Sequence, residues 1–101
     1  MPTLVQIGEE QLDVDDTSGG VGITAGEITN KVYMAVCTLE TAQIRYNASA
    51  APTAGGTEGS PILNVGETIE VWGQKDLHAF KAIRTGSTSG KLQVQLFGSG
   101  D

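Results

Sequence analysis

Apolar and polar residues alternate along most of this chain, and no long stretch has the 3.6-residue spacing of an amphipathic helix. The strongest alternating segment is residues 31–39, in which Val32, Met34 and Val36 are expected on one side of a strand. The other side is expected to carry Tyr33, Ala35, Cys37 and Leu39. Because both sides are apolar, the pattern predicts a central strand that is covered on two faces.

Shorter alternating segments, separated by turn residues, predict further strands. They are residues 3–7, 43–47, 61–64, 68–72, 77–84 and 91–97, with brief pairing also expected at 21–24. Many short strands at this spacing predict an all-β fold, a small antiparallel β-sandwich or jelly roll with an acidic N-terminal arm. The expected inner residues, one from each main strand, are Val36, Ile44, Ile69, Phe80 and Val94.

The negative charge of the chain is concentrated in its first 30 residues. That segment contains six Asp or Glu and no Lys or Arg, and the other six acids are balanced by six bases, so it accounts for the net charge of −6. Within a single domain, residues 1–30 are predicted to form the acidic N-terminal arm or first strands, and residues 31–101 the β-sandwich core. The acids either form a solvated face or dock on a basic patch of a partner.

Residue types that carry catalysis or bind metals are scarce. Cys37 and His78 are the only Cys and His, and no surrounding motif indicates a nucleophile with its base. Two such residues are also too few for an ordinary zinc site. The cluster Asp13-x-Asp15-Asp16 lacks the spacing of an EF-hand calcium loop. We therefore predict that the chain is not an enzyme and has no catalytic, cofactor-binding or metal-binding residues.

Composition also narrows the range of partners. The net negative charge disfavours nucleic acid, because the phosphate backbone has the same sign. No apolar run is long enough to span a bilayer, and the first residues lack the features of a secretory signal. A single cysteine excludes an internal disulfide framework and fits a protein made in a reducing cytoplasm. We expect neither nucleic acid nor membrane as a partner.

Candidate contact residues come from the acidic segment and from the only tryptophan. Alternation places Trp72 opposite Ile69 and Val71, where it either anchors a partner or caps the edge of the core. The small-residue loop at 48–60 is an alternative contact region. The predicted partner contacts are Glu9, Glu10, Asp13, Asp15, Asp16 and Trp72.

Residues 44–94 contain strand and turn elements in a recognisable order. They are Ile44-Arg45-Tyr46, Ala51-Pro52-Thr53, Pro61-Ile62-Leu63, Gly66-Glu67, Leu77-x-x-Phe80-x-Ala82-Ile83-Arg84-x-Gly86, Ser87-Thr88-x-Gly90 and Leu92-x-Val94. This layout resembles the small capsid decoration (cement) proteins of tailed bacteriophages. The resemblance implies a structural virion protein, made in the host cytoplasm, that binds the outer surface of the phage head and stabilises it. The implied partners are the major capsid protein and further copies of the chain, as a dimer or trimer.

Two alternative functions remain open. The stretch from Ile44-Arg45-Tyr46 to Pro52-Thr53 also resembles carbohydrate-binding β-sandwich modules of sugar-degrading enzymes. Those modules usually have Asp-Gly before the Pro-Thr pair, and residues 48–51 depart from that pattern. The second alternative is a head-fibre or tail-tip subunit of a phage.

Overall fold

The computed structural model describes residues 4–49, 52, 54–55 and 59–99. Strands joined by turns make up most of this part of the chain, as the alternating pattern predicts, but three of them are longer than expected, with 10 or 11 residues. The strands are β1 (Leu4–Val14), β2 (Val32–Thr41), β3 (Ile44–Asn47), β4 (Ile62–Leu63), β5 (Thr68–Trp72), β6 (Lys81–Arg84) and β7 (Gly90–Ser99). A 3₁₀ turn, Ala25–Glu27, precedes β2, and a short helix, α1 (Gln74–Ala79), connects β5 to β6.

The strands form two antiparallel sheets. The large sheet has the order β1-β7-β2-β5, and the small sheet has the order β4-β3-β6. Val21 links the chain to the small sheet through paired backbone hydrogen bonds with Ala82, at 2.7 and 2.9 Å. This arrangement confirms the predicted all-β, sandwich-like fold.

Aliphatic side chains from both sheets form the hydrophobic core. The inner side of the large sheet contributes Leu12, Val14, Ala35, Cys37, Leu39, Val71, Leu92, Val94 and Leu96. Ile44, Leu63 and Ala82 come from the small sheet, and Ile23, Ile28, Leu77 and Phe80 from the connections. The predicted inner positions Ile44, Phe80 and Val94 are thus confirmed, and Ile69 is half-buried against the core.

The acidic N-terminal arm is not confirmed, because residues 4–14 form an edge strand of the large sheet. β1 pairs with β7 along its whole length, apart from an irregularity between Gln6 and Gly8. Leu12 and Val14 of β1 are buried in the core. Asp13, between them, is exposed, so this part of β1 has the period of a strand with one solvated face.

The predicted orientation of β2 is wrong in part. β2 is an interior strand, as expected, but the register with β7 shifts between Val32 and Met34. This bulge lets Val32 face the core together with Ala35, although the two residues are an odd number of positions apart. Val36 consequently lies half-buried on the outer face of the sheet, and its assignment to the core is wrong.

The predicted strand at residues 77–84 begins later than expected. Residues up to Ala79 belong to α1, and β6 starts at Lys81. The helix starts after Gly73, whose φ of 90° lies in the region that favours glycine. A helical turn brings Leu77 and Phe80 to the same side, and both side chains are fully buried. Packing of these two residues explains why helix replaces the expected turn and strand start.

Candidate functional site

The outer face of the large sheet carries three rows of side chains that run across all four strands. The strand registers place Gln6, Phe97, Met34 and Trp72 in the first row. The second row contains Glu9, Gln95, Val36 and Glu70. The third row contains Gln11, Gln93, Thr38 and Thr68. The face is therefore apolar at one end and increasingly polar along the strands.

The first row contains an apolar cluster, Phe97, Met34 and Trp72, which lies outside the core. Met34 is only 4% exposed although it faces away from the core, so its neighbours on the outer face cover it. Phe97 is half-buried and Trp72 is 55% exposed. Neighbouring strands are about 4.8 Å apart, so this cluster extends roughly 10 Å across the sheet. Trp72 is thus an exposed aromatic residue and does not cap the core.

The polar side chains of this face hold one another in place. Trp72 Nε1 donates a hydrogen bond to Glu70 Oε1 at 3.0 Å. Gln93 Nε2 donates to Gln11 Oε1 at 2.8 Å and to a carboxylate oxygen of Glu40 at 3.0 Å. The Thr38 and Thr68 hydroxyls are 3.1 Å apart, and Gln95 Nε2 lies 3.4 Å from Gln6 Oε1. These contacts reduce the conformational freedom of groups that would otherwise be mobile on an exposed sheet.

Two of the predicted contact residues lie on the outer face of β1. Glu9 is exposed and has no hydrogen-bond or ion-pair partner among the described residues. Asp13 pairs with Lys91, with 2.5 Å between Oδ1 and Nζ. Glu10 points to the inner side instead, where its carboxylate accepts hydrogen bonds from the backbone N–H and hydroxyl of Thr24. Glu10 therefore organises the chain before the 3₁₀ turn.

Asp15 and Asp16 lie beyond the end of β1, where the chain approaches β6. The Thr17 hydroxyl and backbone N–H donate to Asp15 Oδ1 at 2.5 and 2.9 Å, and these hydrogen bonds lower the pKa of Asp15. Asp16 forms an ion pair with Arg84 at 3.3 Å. The structure therefore distributes the predicted acids over several sites, and Trp72 lies at the opposite edge of the large sheet from Glu9.

The outer edge of β1 has no strand partner in the described part of the chain. Its first half exposes Leu4, Val5 and Ile7, by 46%, 36% and 41%. Glu9 follows in the same strand, after Gly8. Unpaired backbone N–H and C=O groups along a strand edge can bind another extended segment. β1 thus offers a docking edge that is apolar at one end and acidic at the other.

Cys37 and His78 are not brought together in any catalytic arrangement. Cys37 is fully buried in the core, and this burial raises the pKa of its thiol to about 12, so the thiol is un-ionised at neutral pH. His78 is exposed on α1. No pocket and no cluster of three potential metal ligands occurs within the described ranges. None of the helices described there is long and apolar enough to cross a membrane.

The prediction of contact residues missed most of the outer face. The alternation in residues 91–97 does place Gln93, Gln95 and Phe97 together, on the side opposite the core. Gln6 and Gln11 would fall on opposite sides of a regular strand, and only the bulge at Ile7 brings them to the same face. The pairing of Glu70 and Met34 with these residues depends on sheet order, for which the sequence contains no local signal.

Comparison with protein-family models, curated proteins and solved structures finds no match to this chain.

Proposed function

We propose that this protein is a non-catalytic structural component of a bacteriophage virion that attaches to the outer surface of the capsid. The resemblance of residues 44–94 to capsid decoration proteins supports this function. The surface also supports it, since the described residues present an exposed sheet face and a free strand edge, which suit adhesion to a large partner. Copies bound at symmetry-related positions on a shell would together gain from multivalency.

The free edge of β1 is the observation that carries this proposal. An edge strand of 11 residues with exposed apolar side chains tends to pair with other chains. We expect β1 to receive an extended segment of the major capsid protein, which would add a strand to the large sheet. Leu4, Val5 and Ile7 would contribute apolar contact, and backbone hydrogen bonds would set the register.

The negative charge of Glu9 favours a capsid segment over a second copy of β1 as the partner of this edge. If two copies of β1 paired antiparallel over residues 4–14, Glu9 of one copy would lie opposite Glu9 of the other. Like charges directly opposite are destabilising, so this homotypic pairing is disfavoured. A capsid segment with Lys or Arg at that position would instead form an ion pair with Glu9. We therefore place any dimer or trimer contact at another surface of the protein.

Attachment can be tested by co-sedimentation with undecorated capsids of the parent phage. Deleting the N-terminal segment is unsuitable, because β1 contributes Leu12 and Val14 to the core. Glu9→Lys reverses the charge at the docking edge. Glu27→Lys is a matched control, since it makes the same charge change at an exposed position on the 3₁₀ turn.

We expect Glu9→Lys to weaken attachment by about tenfold, while Glu27→Lys binds as the wild type does. Attachment of the wild type should also weaken as salt rises, since exposed charges are screened within about 10 Å at 0.1 M. Equal binding by the two variants would overturn the proposed ion pair between Glu9 and the capsid segment. Failure of the wild-type protein to sediment with capsids would refute the proposed function itself.

A further inference from the structure

The outer face of the large sheet has the features of a ligand-binding surface that is separate from the β1 edge. Its apolar row, Phe97, Met34 and Trp72, is bordered on the next row by Gln95 and Glu70, with Val36 between them beside Met34. Met34 is 4% exposed and both Phe97 and Val36 are half-buried, so the apolar surface that a ligand can reach is a narrow strip dominated by Trp72. A protein interface usually has a broad apolar centre instead. The face therefore suits a narrow, largely polar chain that stacks on aromatic rings.

The indole ring of Trp72 is the most exposed part of this strip. Its Nε1–H is already bound to Glu70 Oε1 at 3.0 Å, so the polar edge of the ring is occupied. The faces of the ring are apolar and electron-rich. The C–H face of a pyranose sugar packs against such a surface, and the sugar hydroxyls then point to the groups around it.

The polar rows match the hydrogen-bonding needs of sugar hydroxyls. A glutamine amide offers both donors and acceptors, and each sugar hydroxyl can act as either. Gln6, Gln95 and Glu70 lie directly beside the apolar strip. Because mutual hydrogen bonds already hold several of these side chains, binding a ligand would cost less side-chain conformational entropy.

Charge excludes other ligands that stack on aromatic rings. The face carries the carboxylates of Glu9, Glu40 and Glu70, and its cation Lys91 is paired with Asp13. Nucleotides and single-stranded nucleic acids stack well, but their phosphates would meet this negative field. Acidic polysaccharides would be repelled in the same way. A neutral, hydroxyl-rich chain complements the face.

From this geometry we infer that the outer face of the large sheet binds neutral polysaccharide, with a sugar ring stacked on Trp72. This activity goes beyond attachment to a capsid and uses a different part of the sheet. A virion protein with both properties would leave its sugar-binding face exposed while the β1 edge holds the shell.

The isolated protein can be tested against an array of neutral and acidic glycans, followed by affinity electrophoresis in gels containing xylan, hydroxyethylcellulose or polygalacturonate. Trp72 is the only tryptophan, so its fluorescence reports ligand binding at this face directly. We expect capture by neutral glycans, retardation in at least one neutral gel with a change in Trp72 emission, and no retardation by polygalacturonate. Absence of binding to every neutral glycan would overturn the inference.

Variants then locate the site. Trp72→Ala should weaken binding by at least about tenfold, as expected when a central aromatic contact is removed. Ile62→Ala is the matched control, because Ile62 is 40% exposed on the small sheet. Far-ultraviolet circular dichroism should show that both variants remain folded. Retained glycan binding by Trp72→Ala would place the site elsewhere and overturn the inference.

The capsid co-sedimentation experiment distinguishes this inference from the proposed function. We expect Trp72→Ala to attach to capsids as the wild type does. If it loses attachment and the wild type binds no glycan, the outer face is a capsid contact and the sugar-binding inference is wrong. If glycan binding depends on Trp72 but no form attaches to capsids, the inference stands and the proposed function fails.

Discussion

Replacing Leu12 by Ala tests whether the acidic N-terminal segment is an integral strand of the fold. Leu12 lies on the inner side of β1, opposite Leu92 of β7, and is 5% exposed. Leu→Ala changes at buried sites cost about 2–5 kcal/mol, through lost burial and the cavity left behind. β1 is an edge strand that can relax into part of this cavity, so we expect about 2–3 kcal/mol. That is a large share of the roughly 5–15 kcal/mol that stabilises a typical domain.

Gln11→Ala is the control, because Gln11 is the adjacent residue on the exposed outer face of β1. The Gln11 side chain accepts one hydrogen bond from Gln93. Removing this side chain should lower the free energy of unfolding by less than about 0.5 kcal/mol. Urea denaturation followed by far-ultraviolet circular dichroism measures both free energies of unfolding. Equal and small losses in the two variants would show that residues 4–14 are not packed against the core.

Three further substitutions test the interior. Phe80→Ala should lower the free energy of unfolding by about 3–5 kcal/mol in urea denaturation, and a loss under 1 kcal/mol would contradict its packing between helix and sheet. Gly98→Ala should cost at least about 1–3 kcal/mol, because an added Cβ would lie 1.9 Å from the Lys31 carbonyl oxygen, whereas Gly86→Ala, with open space around it, should be nearly neutral. Burial raises the pKa of Cys37 from 9.0 to about 12, so the folded state should lose stability as pH rises from 9 towards 12, where only the unfolded thiol ionises. The loss should reach about 2 kcal/mol near pH 10.5 relative to Cys37→Ala, and parallel pH profiles of the two proteins would show that the thiol is not buried.

Much of the strand content follows from local alternation. Residues 91–97 alternate so regularly that their inner and outer sides are correct in the structure, with Leu92, Val94 and Leu96 in the core. Alternation also places Ile44 in the core, as in the structure. It places Trp72 on the side opposite Ile69 and Val71, and Trp72 is exposed in the structure, as the partner-anchor alternative requires. These features depend only on the two-residue period of a strand, which can be read within one segment without knowing which strands lie beside it.

The predictions that were wrong concern segments in which the two-residue period is interrupted, or in which packing against distant residues determines the local structure. The bulge in β2 reversed the expected orientation of Val36, because one extra residue moves every later side chain to the other face. Residues 74–79 became helical because a turn of helix buries Leu77 beside Phe80. Neither the bulge in β2 nor the helix at residues 74–79 is predicted by the residues of its own segment, because the alternating pattern there favours a regular strand.

The sequence by itself determined an all-β chain with an aliphatic core, an acidic N-terminal segment and one tryptophan outside the core pattern. Only the tertiary structure decided that the strand predicted at residues 3–7 extends to Val14 and pairs with β7, with Glu10 turned inward and Glu9 left on a free edge. Sheet order likewise brought Gln6, Phe97, Met34 and Trp72 into one row from four separate strands. The physical reason is that cross-strand neighbours are set by long-range pairing and bulges, which depend on how the whole core packs.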